Sequence, residues 1–378
     1  MTLRRVIFWT HMVVGVSTGL IILLVSSTGV LLSYEKETLG WSGHSFVQQA
    51  APASGAPLPL NALIASATDA NGGKRPSSLT FYNGSGAVSA ATDGPTLYFD
   101  SVSGKYLGSA STPEFFKSVR AWHRYVGMSG GNRKIGRAIT GVTTIVFVFL
   151  IVAGLFLWFP RGPIWFKGGL KGKARNWNWH NVFGFWAAIP LFLVVLSGVV
   201  ISYDWATNLV YRIAGTELPA ETANRTKPLT DLSKIDPLLA QAEQKTADWK
   251  TVALKLPVRS QGPVSFTIDR GNGAQPQLRS TLSLDQETGA TIKWDQFENQ
   301  ERGRRARSWF RYVHTGEYYG VAGQTVAGLA SLAALLLVWT GLSLWLKRVS
   351  SWVQVRAARA RKPRVQPATA SERALPAR

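Results

Sequence analysis

The sequence predicts an α+β membrane protein: four transmembrane helices in a bundle with two small periplasmic α+β modules, arranged as a tandem duplication. Three observations predict it. Residues 12–33, 138–159, 182–203 and 322–346 are almost free of charge, and each is close to the roughly 20 residues that cross a bilayer as a helix. Basic residues crowd the short flanks of these stretches, and the chain matches itself at two constant offsets.

The flanks set the orientation. Lys and Arg number 42 against 21 Asp and Glu, a formal charge of +21, which in a soluble protein would point to nucleic acid. Here Arg4 and Arg5 precede the first span, and Arg161, Lys167, Lys171, Lys173 and Arg175 fill the connection between the second and third. Lys347, Arg348, Arg356, Arg359, Arg361, Lys362 and Arg364 follow the fourth. By the positive-inside rule both termini and that connection lie in the cytoplasm of a bacterial inner membrane. The charge is then an orientation signal, the lipid bilayer is a partner and nucleic acid is not. The first apolar run exceeds the 7–15 residue core of a signal peptide and no small-residue cleavage site directly follows it, so it reads as a retained span.

The self-match gives the domain order. At offset 169, His11, Gly15, Gly29, Ser33 and Tyr34 fall on His180, Gly184, Gly198, Ser202 and Tyr203; at offset 187, Trp122, Arg124, Gly136, Gly141, Gly154 and Trp158 fall on Trp309, Arg311, Gly323, Gly328, Gly341 and Trp345. The expected order is transmembrane helix 1 (7–35), module 1 (36–120), helix 2 with its periplasmic lead-in (121–160), a cytoplasmic loop (161–178) and helix 3 (179–204). Module 2 (205–305), helix 4 with its lead-in (306–347) and a basic cytoplasmic tail (348–378) complete it. Within the modules, residues 97–104 and 282–289 each predict a strand and an Asp/Gly turn, with a second strand after (105–107; 290–294). Helices are predicted at 58–70 and 231–247, and loop-like approaches at 50–57 and 219–229.

With no cysteine, disulfides, iron–sulfur clusters, thiol nucleophiles and c-type haem attachment are excluded, and a redox metal must use other ligands. Four of the five histidines sit at span ends: His11 and His180 at equivalent cytoplasmic entrances, His123 and His314 on the periplasmic side. Two pairs, one per face, suit two b-type haems, which are held by neutral imidazoles where helices approach with little bulk. Gly15 and Gly184, four residues after His11 and His180, lie on the same helix face and would supply that room. The plainer alternative is a set of interfacial histidines with glycines that only let helices pack, as Gly15-x-x-x-Gly19 would. The outer pair is displaced by four residues in the repeat alignment, His123 falling on Phe310 and His314 on Gly127, a depth difference of about 6 Å if helical. His44 has no repeat partner and reads as a surface residue, a spare ligand being the lesser alternative.

Arg124 and Arg311, equivalent in the repeat, lead two basic clusters beside the outer pair. Contact with lipid headgroups, haem propionates or an anionic chelate would each suit them. Trp9, Trp158, Trp165, Trp177, Trp179 and Trp345 lie near span boundaries, as an aromatic belt requires.

Two modules with Asp-x-x-Ser/Thr-Gly hairpins bracketed by spans, His123-Arg124 before span 2, His314-Thr-Gly before span 4 and Thr340-Gly-x-x-x-Trp345 at its end resemble the PepSY-associated transmembrane family over nearly the whole chain, excluding the basic tail. The modules would then be PepSY-like. In size and layout the chain is similar to the FoxB-type ferric-siderophore reductases of that family. That likeness implies haem in the bundle and delivery of electrons to a periplasmic ferric siderophore, releasing Fe²⁺, with haem iron held by His11, His180, His123 and His314. No Gly-x-Gly-x-x-Gly fingerprint follows a strand, so a cytoplasmic donor and a quinol both stay open as electron source. The alternative from another class is a non-catalytic PepSY-type sensor or protein-binding regulator.

Overall fold

The computed structural model describes residues 2–50, 55–219 and 226–360. Residues 51–54 and 220–225 of the two loop-like approaches, and 361–378 of the tail, lie outside the described residues.

Among the described residues four helices are long and apolar enough to cross a membrane: α1 (Leu3–Leu32), α5 (Arg133–Trp158), α6 (Gly172–Ser202) and α10 (Gly320–Ala360). α1 and α6 each pack on both α5 and α10, which sets α1 and α6 on one diagonal of a four-helix bundle. Glycines permit the contacts: the face of Gly19 meets Val338 and Leu342 of α10, and Gly328 meets Ser33, small residues letting backbones approach where lipid offers no hydrophobic drive. Between the spans lie α2 (Glu35–Gln49), α3 (Leu60–Ala70), β1 (Ser78–Tyr82), β2 (Ala87–Ala91), β3 (Thr96–Asp100), β4 (Tyr106–Ala110) and α4 (Thr112–Tyr125) in the first half. In the second lie α7 (Asp204–Ile213), α8 (Asp236–Glu243), β5 (Thr251–Lys255), β6 (Val264–Asp269), β7 (Arg279–Leu284), β8 (Thr291–Gln296) and α9 (Arg302–Thr315).

Several expected boundaries shift. α6 begins seven residues before the expected 179, and α10 continues helical through Ala360 into the expected tail. The helix expected over 231–247 shrinks to Asp236–Glu243, because Pro237 lacks an N–H and is tolerated only in a first turn. The lead-ins are separate helices, α4 and α9, with left-handed residues at their ends, Val126 (φ 53°) and Gly316 (φ 78°).

The two modules are not separate. The eight strands among the described residues form one antiparallel sheet in the order β4-β3-β2-β1-β5-β6-β7-β8. The seam is a register of Ser78 on Lys255 through Tyr82 on Thr251. α3 and α8 cover one face, and Leu60, Leu63 and Ile64 share a single core with Leu238, Leu239, Phe81, Phe99, Phe266 and Leu282. The expected Asp turns are present: Asp100 Oδ1 accepts from the Ser103 N–H at 2.8 Å and hydroxyl at 2.8 Å, and Asp285 Oδ1 from the Thr288 N–H at 2.8 Å and hydroxyl at 2.9 Å. Gly104 (φ 71°) and Gly289 (φ 68°) take the left-handed position that follows.

One core has a measurable consequence. Phe266 is fully buried, and Phe266→Ala is expected to cost about 3–5 kcal/mol. Hydrogen exchange should show amide protection falling in β2 and β3 as well as in β5–β8. A loss confined to β5–β8 would mean two independently folding modules.

Candidate functional site

The structure brings the four span-end histidines into two pairs. The rings of His11 and His180, on the diagonal helices α1 and α6, lie 6.5 Å apart between centroids at 89°. Those of His123 and His314, near the C-termini of α4 and α9, lie 6.1 Å apart at 65°. Along α1, His11 and the residue that holds His123, Thr28, are 17 positions apart, about 25 Å of helix.

The outer pair corrects an expectation. The four-residue displacement predicted a difference in depth, yet His123 bonds Thr28 and faces Gly29, while His314 bonds Ser197 and faces Gly198, residues that correspond at offset 169. The two rings are thus at equivalent depth. The displacement is taken up in the connections: α5 starts ten residues after His123 and α10 six after His314, so the gapless match at 187 breaks there.

Hydrogen bonding orients three rings and fixes the tautomer of one, His314. The Thr28 hydroxyl donates to Leu24 O at 2.8 Å, so its oxygen can accept from His123 Nδ1–H at 2.9 Å. The Thr340 hydroxyl donates to Leu336 O at 2.6 Å and its oxygen can accept from His180 Nδ1–H at 3.0 Å. His314 Nδ1–H donates to Val194 O at 2.8 Å. A carbonyl can only accept, so His314 Nδ1 carries the hydrogen and Nε2 the lone pair, the arrangement usual for a metal-binding imidazole, and the Thr28 and Thr340 hydroxyls, with carbonyls of the preceding turn to donate to, suit the same tautomer in His123 and His180. His11 differs. Its Nδ1 is buried without a partner, because Ala153 stands where the second half has Thr340. Burial, with His314 and Arg124 adding, pushes His123 down to about 3, and burial lowers His314.

Room beside the rings comes from glycines other than those expected. The open faces of Gly15 and Gly184 meet Leu150 and Leu337, so these two serve helix packing. The glycines opposite the imidazoles are on neighbouring helices: a Cβ on Gly154 would lie 3.5 Å from His11 Cε1, on Gly341 3.4 Å from His180 Cε1, and on Gly198 3.2 Å from His314 Cε1. The self-match already aligned Gly154 with Gly341 and Gly29 with Gly198; which face they present depends on how the helices are turned.

The donor set can be tested against a group to hold. Among the described residues no cluster of three or more His, Asp or Glu converges, so a bare zinc-type ion, which takes four ligands, is poorly served. A pair of imidazoles would suit a b-type haem, whose ring would supply the other ligands. The ring centroids of the two pairs are 6.5 and 6.1 Å apart, close enough for the two imidazoles of a pair to share one ion. The chemistry of each pair would suit a haem.

His44 is exposed on α2. Arg124 and Arg311 are exposed and lie over their own neighbours, Tyr125 at 5.4 Å and Tyr312 at 5.6 Å. Trp165 and Trp177 are exposed as a belt requires, but Trp179 turns into a cluster with Phe166, Phe183 and Trp339.

A family model described as the PepSY-associated TM region matches residues 8–348. No curated protein matches the chain.

Proposed function

We propose that this chain, which belongs to the PepSY-associated transmembrane family, is a haem-containing reductase of the bacterial inner membrane that passes electrons from the cytoplasmic side to a periplasmic ferric siderophore. The observation that carries the reading is the two imidazole pairs, one near each end of the bundle, at separations of 6.5 and 6.1 Å. Basic flanks support a cytoplasmic His11/His180 end and a periplasmic sheet, and the repeated element order supports a tandem duplication.

His11 and His180 would hold one b-type haem and His123 and His314 a second. Such a group supplies a one-electron couple tuned by its axial ligands and burial. The chain's own work is positional. Thr28, Thr340 and Val194 fix ring orientation through Nδ1–H, and Gly29, Gly154, Gly198 and Gly341 keep methyl groups away from the rings. Arg124 and Arg311, exposed beside the outer pair, suit haem propionates or an anionic ferric chelate. One electron per ferric ion yields Fe²⁺, a softer and less charged ion that oxygen chelators hold weakly, and iron is released.

The test is the absorption spectrum of the detergent-purified protein. A Soret band that shifts on reduction, and reoxidation of the reduced protein by a ferric hydroxamate under anaerobic conditions, are expected. Absence of a Soret band after expression with ample haem would favour a non-catalytic sensor or regulator, and a reducible band that ferric chelates leave reduced would overturn the substrate assignment.

A further inference from the structure

The connection between α5 and α6 has no regular secondary structure over residues 163–171, yet side chains hold it at several points. The Trp158 indole donates to Pro163 O at 3.1 Å and the Trp186 indole to Ile164 O at 2.9 Å. Asn178, 2% exposed, accepts from the Lys167 N–H at 3.1 Å and donates to Trp165 O at 3.2 Å. Irregular backbone pinned this thoroughly is the usual setting of a binding loop.

The loop walls a cavity of about 410 Å³ with the start of α6, within the size range of small-molecule sites. Phe166, Trp179 and Phe183 supply aromatic wall, Gly168 and Gly169 open backbone, and Lys167 and Arg175 positive charge. Arg175 lies 5.2 Å over Trp179 and 5.9 Å over Trp339. Neither cation is in an ion pair among the described residues, and the connection from 160 to 181 contains no acid. The position is as telling as the lining. Trp179 precedes His180, and Trp339 precedes Thr340, which bonds His180, so the cavity wall is one residue removed from the inner imidazole pair.

We propose that this cavity is the electron-entry site and takes a reduced flavin mononucleotide, its ring system against the aromatic wall and its phosphate on Lys167 and Arg175. The direction of transfer rests on the reductase reading; the binding site does not. A reduced flavin is an anion at neutral pH and matches two unpaired cations. A quinol is neutral and gives Lys167 and Arg175 no charge to bind. Each flavin anion gives two electrons, one to each of two ferric ions, releases one proton to water and leaves oxidised.

Binding is measured with full-length protein in lipid nanodiscs by quenching of flavin fluorescence, using flavin mononucleotide and riboflavin. The phosphate is expected to tighten binding about tenfold, and this advantage should disappear in Lys167→Gln and Arg175→Gln. Equal binding of the two flavins by the unaltered protein, or an undiminished phosphate advantage in both variants, overturns the proposal, as does flavin displacement by a short-chain quinone regardless of Lys167. Expected flavin binding by a protein with no Soret band would sink the reductase reading and leave the flavin site standing.

Discussion

His180→Ala is expected to remove about half of the bound haem, lowering the Soret absorbance and the haem-to-protein ratio together, because one of the two imidazole pairs that would hold it loses a ligand. His314→Ala should remove the other half, and the double variant nearly all. Pyridine haemochrome content per mole of purified protein checks this. A fold defect would be confused with ligand loss only if it were global, and the site itself offers a control. Thr340→Val keeps the size of the side chain and the imidazole, but removes the oxygen that accepts from His180 Nδ1–H at 3.0 Å. Loss of such an outer partner typically weakens metal affinity by about 10–100-fold, so haem should be retained at saturation but exchange more readily to a competing apoprotein. The inner pair is asymmetric in this respect, since His11 has Ala153 where His180 has Thr340. Ala153→Ser is therefore expected to slow haem loss. If His180→Ala and His314→Ala both leave haem content intact, the imidazoles are packing residues and the cofactor assignment falls.

Much of the bundle was legible because a membrane span writes its signal in composition over about twenty residues, and the repeat offsets then paired His11 with His180. The strands of the sheet were harder. β1 (SLTFY) and β5 (TVALK) alternate buried and partly exposed residues, but each has only five residues and its defining partner lies far along the chain, Leu79 on Leu254. Nothing local announces that seam. The hairpins around Asp100 and Asp285 were legible for the opposite reason, since their turn chemistry is contained within five residues. The site shows the same division. Its histidines were found by spacing and count, whereas the choice of glycines needed the rotation of each helix about its axis. Gly15 and Gly184 share a face with the histidines of their own helix, but the free space beside an imidazole belongs to the helix opposite. The apparent depth error of the outer pair arose from unequal connections after α4 and α9, which a gapless match cannot represent.

Gly198→Val is expected to eliminate the outer pair as a ligand set, the largest effect of any change that leaves all four histidines in place. A Cβ at position 198 would already sit 3.2 Å from His314 Cε1 and 3.3 Å from Thr144 Cγ2, tighter than ordinary packing on two sides. Valine adds two further methyls, so either the imidazole turns away from His123 or α6 moves outward from α5. The first outcome gives up the bond of His314 Nδ1–H to Val194 O, and overpacking of this kind costs about 1–3 kcal/mol in either case. Haem content should fall to that of His314→Ala, with the inner pair unaffected because it lies about 25 Å away along the helix. Gly184→Ala provides the contrast. Its added methyl meets Leu337 Cδ2 at 3.6 Å, an ordinary contact, and haem content should match the unaltered protein. The reverse result, depletion in Gly184→Ala and retention in Gly198→Val, would show that the glycine four residues beyond each inner histidine is the one that admits the macrocycle, and that the helix rotations seen in the bundle do not describe the loaded protein.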